Sequence, residues 1–175
     1  MTVADPIKVL VVFYSRYGET ERLALAAGLG AIQEEALIRL RRLDDRADAA
    51  TIAADAAWST CLDRLQRDYV TPRPADPVWA DLIVLATSAR SDGEVERYAA
   101  SLPECGPMIG KLAGPLAAGN DAGVLGGVYA SAACAGLLVA PSAIDGADAL
   151  TGARLHGQAL VRAVRALKTA SASRS

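Results

Sequence analysis

Ser15, Arg16, Gly18 and Thr20 fall close together in the stretch VVFYSRYGETERLA, where an apolar run stops and a polar, helix-like segment begins. A loop that leaves a buried strand and enters a helix gathers unpaired backbone N–H groups at the positive end of the helix dipole. Hydroxyls at Ser15 and Thr20 add hydrogen-bond donors, Gly18 permits a turn with no Cβ in the way, and Arg16 adds charge. Together they describe a cradle for one phosphate. The helix then opens on polar residues, with nothing apolar before Leu23, because its first turn faces a ligand rather than a core. An ordinary strand-to-helix turn capped by Ser or Thr reads the same residues without a ligand. Glu19 opposes a phosphate unless its carboxylate faces solvent while its N–H points inward. The stretch is not a Walker A loop, since no Lys follows the glycine, and it is not a G-x-G-x-x-G turn.

Little else in the chain suggests side-chain chemistry. Cys61, Cys105 and Cys134 are far apart, lack C-x-x-C spacing and have no nearby histidine. Neither a disulfide framework nor a metal site is expected, and the thiols read as buried or incidental. The single histidine, His156, sits in the helical pattern ARLHGQAL and reads as a surface or packing residue. No Ser/His/Asp or Cys/His set stands out, so no catalytic side chain is assigned. A receiver-type signalling site would want acidic residues where the chain has YSRYG and ATSAR.

The elements that must position the loop follow from hydrophobic patterning. KVLVVFYS (8–15) and ADLIVLATS (80–88) are continuous apolar runs, as in strands of a parallel sheet buried on both faces. ALIRLRRL (36–43) alternates, which suits an edge strand with one solvated face. GPLAAGN (114–120) and GLLVAPSA (136–143) are shorter, Ala-rich candidates that bring the strand count to five. In ETERLALAAGLGAIQ, Leu23, Ala26, Ala27 and Gly30 form a small-residue stripe suited to close approach onto a sheet. VERYAASL (95–102) is a shorter helix, and GVLGGVYASAACAG (123–136) is apolar nearly all round, so burial against the sheet or a partner subunit is expected. RADAATIAADAAWSTCLDRLQRDY reads as one helix, ended by the Pro-rich VTPRPADP, a loop within one domain rather than a linker. Leu150, Ala153, Gly157, Leu160, Val161, Val164 and Leu167 mark the clearest amphipathic helix. The polar TASASRS that follows is expected to fray.

Strand and helix alternate throughout, so the reading is an α/β fold, a doubly wound parallel sheet. One domain over 1–170 with a disordered tail at 171–175 is expected, a length that buries roughly 70% of the unfolded surface. Hydrophobic residues make up 52% and charged ones 22%, with a net charge of −2, which gives no reason to expect nucleic acid or an anionic membrane as partner. No apolar run reaches the roughly eighteen residues of a spanning helix, and the start MTVADPIKVL lacks signal-peptide features, so a cytoplasmic protein is expected.

KVLVVFYSRYGETERLA resembles the first strand, phosphate loop and first helix of the flavodoxin-like NAD(P)H:quinone oxidoreductases of the WrbA family, with their pattern Tyr-Ser-x-Tyr-Gly-x-x-Glu-Arg-x-Ala. WADLIVLATSAR is similar to that family's third strand and flavin-ring loop, and LTGARLHGQALVRAVRALK resembles its last helix. The resemblance implies a flavodoxin-like five-stranded parallel sheet with helices on both faces, FMN as cofactor, NAD(P)H as electron donor and a quinone as acceptor. It also implies a homodimer or homotetramer.

Carried over by position, Ser15, Arg16, Tyr17, Gly18, Glu19 and Thr20 surround the FMN phosphate. The ring loop, usually Thr-Pro-Thr-Arg-(Phe/Tyr)-Gly, is TSARSDG here, which places Thr87, Ala89, Arg90 and Gly93 at the site and omits the aromatic. The third loop, AAGNDAG, leaves Gly119, Asn120 and Asp121 as ring or ribityl contacts. CAG stands where the family has His-His-Gly, and Tyr129 falls near a family Trp close to the flavin. These departures keep the phosphate half and erode the ring half; one lost aromatic stack weakens binding by about tenfold. The alternative is a divergent member that keeps the fold as an FMN-binding or assembly module without turnover.

Overall fold

The computed structural model describes residues 5–118, 122–142 and 148–173. Along the chain run β1 (Lys8–Phe13), α1 (Glu19–Gln33), β2 (Leu37–Arg42), α2 (Ala49–Ala53), α3 (Ala56–Asp68) and α4 (Ala75–Trp79). There follow β3 (Leu82–Ser88), α5 (Glu94–Cys105), β4 (Leu112–Ala118), α6 (Ala122–Cys134), β5 (Leu138–Val139) and α7 (Ala149–Ala172). The strands form one parallel sheet in the order β2-β1-β3-β4-β5. The order reverses between β1 and β3, so the loops that leave those two strands diverge to opposite faces and open a crevice at their carboxyl ends.

The continuous apolar runs are buried on both faces because each side of the sheet has its own helical layer. Val9, Val11 and Phe13 of β1 pack with Leu82 and Val84 of β3 beneath α1 and α7. Leu10, Val12, Ile83 and Leu85 face the opposite way, against α5 and α6. Phe13 meets the Tyr69 ring edge-on, with centroids 5.0 Å apart, which ties the end of α3 to the first strand.

Several elements differ from their sequence reading. The small-residue stripe of α1 serves a helix more than the sheet: a Cβ on Gly30 would lie 2.0 Å from the Arg154 carbonyl oxygen, and one on Gly157 would lie 2.1 Å from that of Ala27. Helices α1 and α7 therefore touch backbone to backbone. β2 is an edge strand, as expected, but its arginine face is only partly solvated. Arg39 and Arg41 bond the buried Asp76 carboxylate at 3.0 and 2.7 Å, and the Arg39 guanidinium lies 4.1 Å over the Trp79 ring.

The helix expected across 46–69 is two, because Asp55 breaks it: its Oδ1 accepts the Trp58 N–H at 3.0 Å and starts α3 afresh. Helix α6 buries Leu125, Val128 and Ala132 and exposes Ala130 and Cys134, so it is covered on one face rather than all round. Helix α7 continues through Ala172, into the segment expected to fray. Among the described residues, no helix is long and apolar enough to cross a membrane.

Candidate functional site

The backbone after β1 makes the turn that the residue types anticipate. Gly18 adopts a left-handed conformation, φ +88°, and its N–H donates to Ser15 Oγ at 3.0 Å. Ser15 and Thr20 are buried, at 4% and 2% exposure. Among the described residues, no side chain caps α1. Its first-turn N–H groups thus head a 15-residue helix, beside two hydroxyls and at the positive end of the dipole. That geometry favours an anion.

The other side chains of the loop do not gather there. Glu19 is 65% exposed and lies 3.6 Å from Arg90, so its carboxylate turns outward, the arrangement a phosphate requires. Arg16, expected at the phosphate, reaches sideways instead. Its Nε donates to Tyr14 Oη at 3.0 Å, its Nη2 pairs with Asp92, and its guanidinium stacks 4.3 Å over Trp58. Tyr17 also turns away, donating its hydroxyl to Asp55 at 2.6 Å, with Arg90 5.0 Å over its ring. Arg16 and Arg90 therefore join the loop after β1 to the loop after β3.

That second loop holds Thr87, Ala89, Arg90 and Gly93. Thr87 is fully buried near the end of β3, and its Oγ1 has no hydrogen-bond partner among the described residues. Ala89 and Arg90 are exposed, and Gly93 sits at φ +81° at the start of α5. Glu94 steadies the turn by accepting from Ser91 Oγ at 2.8 Å and from the Asp92 N–H at 2.6 Å. Gly119, Asn120 and Asp121 lie outside the described residues. The strand before them ends beside β3, with Ser88 in register with Ala118. Tyr129 bonds within its own chain, where its hydroxyl accepts the Ser142 N–H.

Two buried networks support the loops, and neither was legible as part of the site. Tyr14 and Trp58 both donate to Asp45 Oδ1 at 2.9 Å, while Arg42 donates to its Oδ2 at 2.6 Å. Burial, and Asp45 beside it, push the Tyr14 phenol well above its ordinary value, although the bond from Arg16 opposes this. Behind the turn, Arg64 donates to both Glu21 oxygens at 2.8 and 2.5 Å, and Tyr69 donates to Glu21 Oε1 at 2.6 Å. The Arg64 bonds hold the Glu21 carboxyl below the usual range despite its burial, with Tyr69 assisting. The one sequence signal for this set was Glu21 itself, three residues after Gly18, a position where glutamate commonly caps a helix. Among the described residues, no group of three His, Cys, Asp or Glu is placed to hold a metal ion.

No protein-family model matches the sequence. An NAD(P)H dehydrogenase (quinone) of Deinococcus radiodurans is 29% identical over 110 residues, which cover 62% of this chain and 54% of that relative. The chain thus aligns with about half the length of that curated relative. A diflavin flavoprotein A3 from Nostoc sp. superposes with a TM-score of 0.60 at 15% identity, covering 95% of this chain and 99% of that one. The Megasphaera elsdenii flavodoxin, in its two-electron reduced form, gives 0.54 at 17% identity over 88% and 98%. The chain has a flavodoxin-like fold. Its similarity to a quinone dehydrogenase agrees with the WrbA-like resemblance.

In this sheet the head of α1 and the loop after β3 lie together at the carboxyl ends of the strands. The head of α1 suits a phosphate group such as that of a flavin mononucleotide: a left-handed Gly18, buried Ser15 and Thr20, and no side-chain cap among the described residues. At the loop after β3, the buried Thr87 hydroxyl, which has no partner among the described residues, suits a polar ligand.

Proposed function

We propose that this protein binds FMN and transfers electrons from NAD(P)H to a quinone. The observation that carries the reading is the head of α1, where the turn at Gly18 leaves helix N–H groups beside Ser15 and Thr20. Backbone N–H groups bind a dianionic phosphate by charge-assisted hydrogen bonds and need no arginine in the cradle. Ser15, Gly18 and Thr20 would hold the phosphate, and the loop 87–93 would flank the remainder of the cofactor. Bound FMN would supply the hydride chemistry, so no side chain need act as nucleophile. The protein's own part is to bind and orient the cofactor. A cytoplasmic location and assembly into a homodimer or homotetramer complete the proposal.

A second reading, a flavin-binding module without turnover, draws on the ring loop. It has no aromatic residue, and Arg16 and Arg90 fasten it to the loop after β1. Titration of FMN into the protein, followed by flavin fluorescence, tests the shared premise of both readings. Saturable quenching is expected, and NAD(P)H oxidation with a quinone by the loaded protein then selects the first. Bound FMN without oxidation selects the second, while unquenched fluorescence at all concentrations rejects both.

A further inference from the structure

Glu21 is the third residue of α1 after the Gly18 cap, a position from which a glutamate carboxylate ordinarily folds back onto the N–H of the cap residue. In this chain the Gly18 N–H goes to Ser15 Oγ instead. The carboxylate is drawn the other way, to Arg64 at 2.8 and 2.5 Å and to the Tyr69 hydroxyl at 2.6 Å. Both charged groups pack on the back of the turn: a Cβ on Gly18 would lie 3.4 Å from Arg64 Nη2 and 3.5 Å from Glu21 Oε2. Glu21 is only 5% exposed, so water screens its charge poorly.

A buried carboxylate this close to a phosphate site has two adverse effects unless it is restrained. It repels the phosphate, and by bonding the Gly18 N–H it displaces Ser15 and brings a negative charge to the helix head. We propose that Arg64 and Tyr69 are positioning residues that hold Glu21 off the head of α1 and neutralise it, keeping the cradle open to a phosphate monoester. The inference rests on the FMN reading, and it assigns a role to α3, an element outside the loops at the strand ends.

FMN and riboflavin, which share the ring and differ in the phosphate, separate this role from a merely structural one. Arg64→Met is expected to raise the FMN Kd by about tenfold and to leave the riboflavin Kd unchanged. Tyr69→Phe shifts FMN in the same direction by roughly threefold, since one hydrogen bond to Glu21 is lost. Adding Glu21→Gln to Arg64→Met returns FMN binding to the wild-type level. Measured against wild type at the same pH, Arg64→Met recovers part of its deficit as the pH is lowered toward 5, because the carboxyl, left with Tyr69 alone, takes a proton. Wild-type FMN binding with no change in either single variant overturns the inference and leaves the FMN reading intact. So does a riboflavin Kd that rises in step with that of FMN, or a double variant that fails to recover. Should Arg64→Met not fold, Tyr69→Phe decides on the same two ligands. A wild-type protein that binds neither ligand overturns the reading and the inference together.

Discussion

Ser15 is placed for two hydrogen bonds in the turn after β1. Its Oγ accepts the Gly18 N–H at 3.0 Å, which leaves its own proton to donate to a ligand. Ser15→Ala removes both bonds, and FMN affinity is expected to fall by about 1.5 kcal/mol, roughly tenfold in Kd. An unchanged fluorescence titration would remove Ser15 from the site. Arg16 shows the limit of reading residues by type. A cation beside a phosphate loop suggests an anion contact, yet Tyr14, Asp92 and Trp58 hold its guanidinium. Those partners lie 2, 76 and 42 positions away in the chain, so the direction of the side chain is a tertiary property. Glu19 is the opposite case: the outward carboxylate that the phosphate reading required is what the structure shows.

At the scale of elements, backbone contact between α1 and α7 depends on glycine at two crossing points. Gly157→Ala improves helix propensity by about 1 kcal/mol. It also drives a Cβ to 2.1 Å from the Ala27 carbonyl oxygen, where a rigid helix backbone cannot yield. Overpacking wins, and a net loss of about 2 kcal/mol or more is expected by chemical denaturation. Gly126→Ala in α6 is the control: nothing lies within 4 Å of its Cβ position, so it is neutral or stabilising by up to about 1 kcal/mol. Equal losses from the two substitutions would deny the close contact.

The edge strand makes a second prediction at this scale. Asp76 accepts from Arg39 and Arg41 and from the Arg73 N–H, so Asp76→Ala strands two cations against the sheet. A loss of about 3 kcal/mol is expected in urea unfolding. A loss below about 1 kcal/mol would mean that the arginines reach water unaided. The alternation of β2 was visible in the sequence, but its cover was not, because Asp76 lies in a Pro-rich segment with no patterning of its own.

For the whole molecule, buried titratable groups set the response to acid. His156 is 4% exposed, and burial lowers its pKa below the ordinary 6.5, although a hydrogen bond to the Pro115 carbonyl opposes this. As pH falls through 6.5, the unfolded chain takes a proton that the native state resists, so stability falls until the native histidine is protonated as well. The Glu21 carboxyl, held by Arg64 and Tyr69, and the Asp76 carboxyl, whose bonds from arginine outweigh its burial, are both depressed. Their contributions are present above the ordinary values of 4.5 and 3.8 and disappear as pH drops through the lower native ones. Melting temperature is therefore expected to decline gently below about pH 6.5 and steeply below about pH 4. His156→Gln abolishes the first decline, and a variant that keeps it would place the titrating group elsewhere.

Sequence by itself determined the five parallel strands, the helical layers and the turn at Gly18. Those features depend on local patterning: unbroken apolar runs demand cover on both faces, and a glycine between hydroxyls permits a left-handed turn. The WrbA-like resemblance rested on the order and spacing of three contiguous stretches, around the loop after β1, along β3 and its loop, and in α7. Only the tertiary structure decided which side chains meet. Glu21 with Arg64 and Tyr69, Arg16 with Asp92, and Gly157 with Ala27 join residues 43, 48, 76 and 130 positions apart. Such pairs follow from how helices cross and where loops return, and those depend on packing of the whole sheet rather than on any one segment.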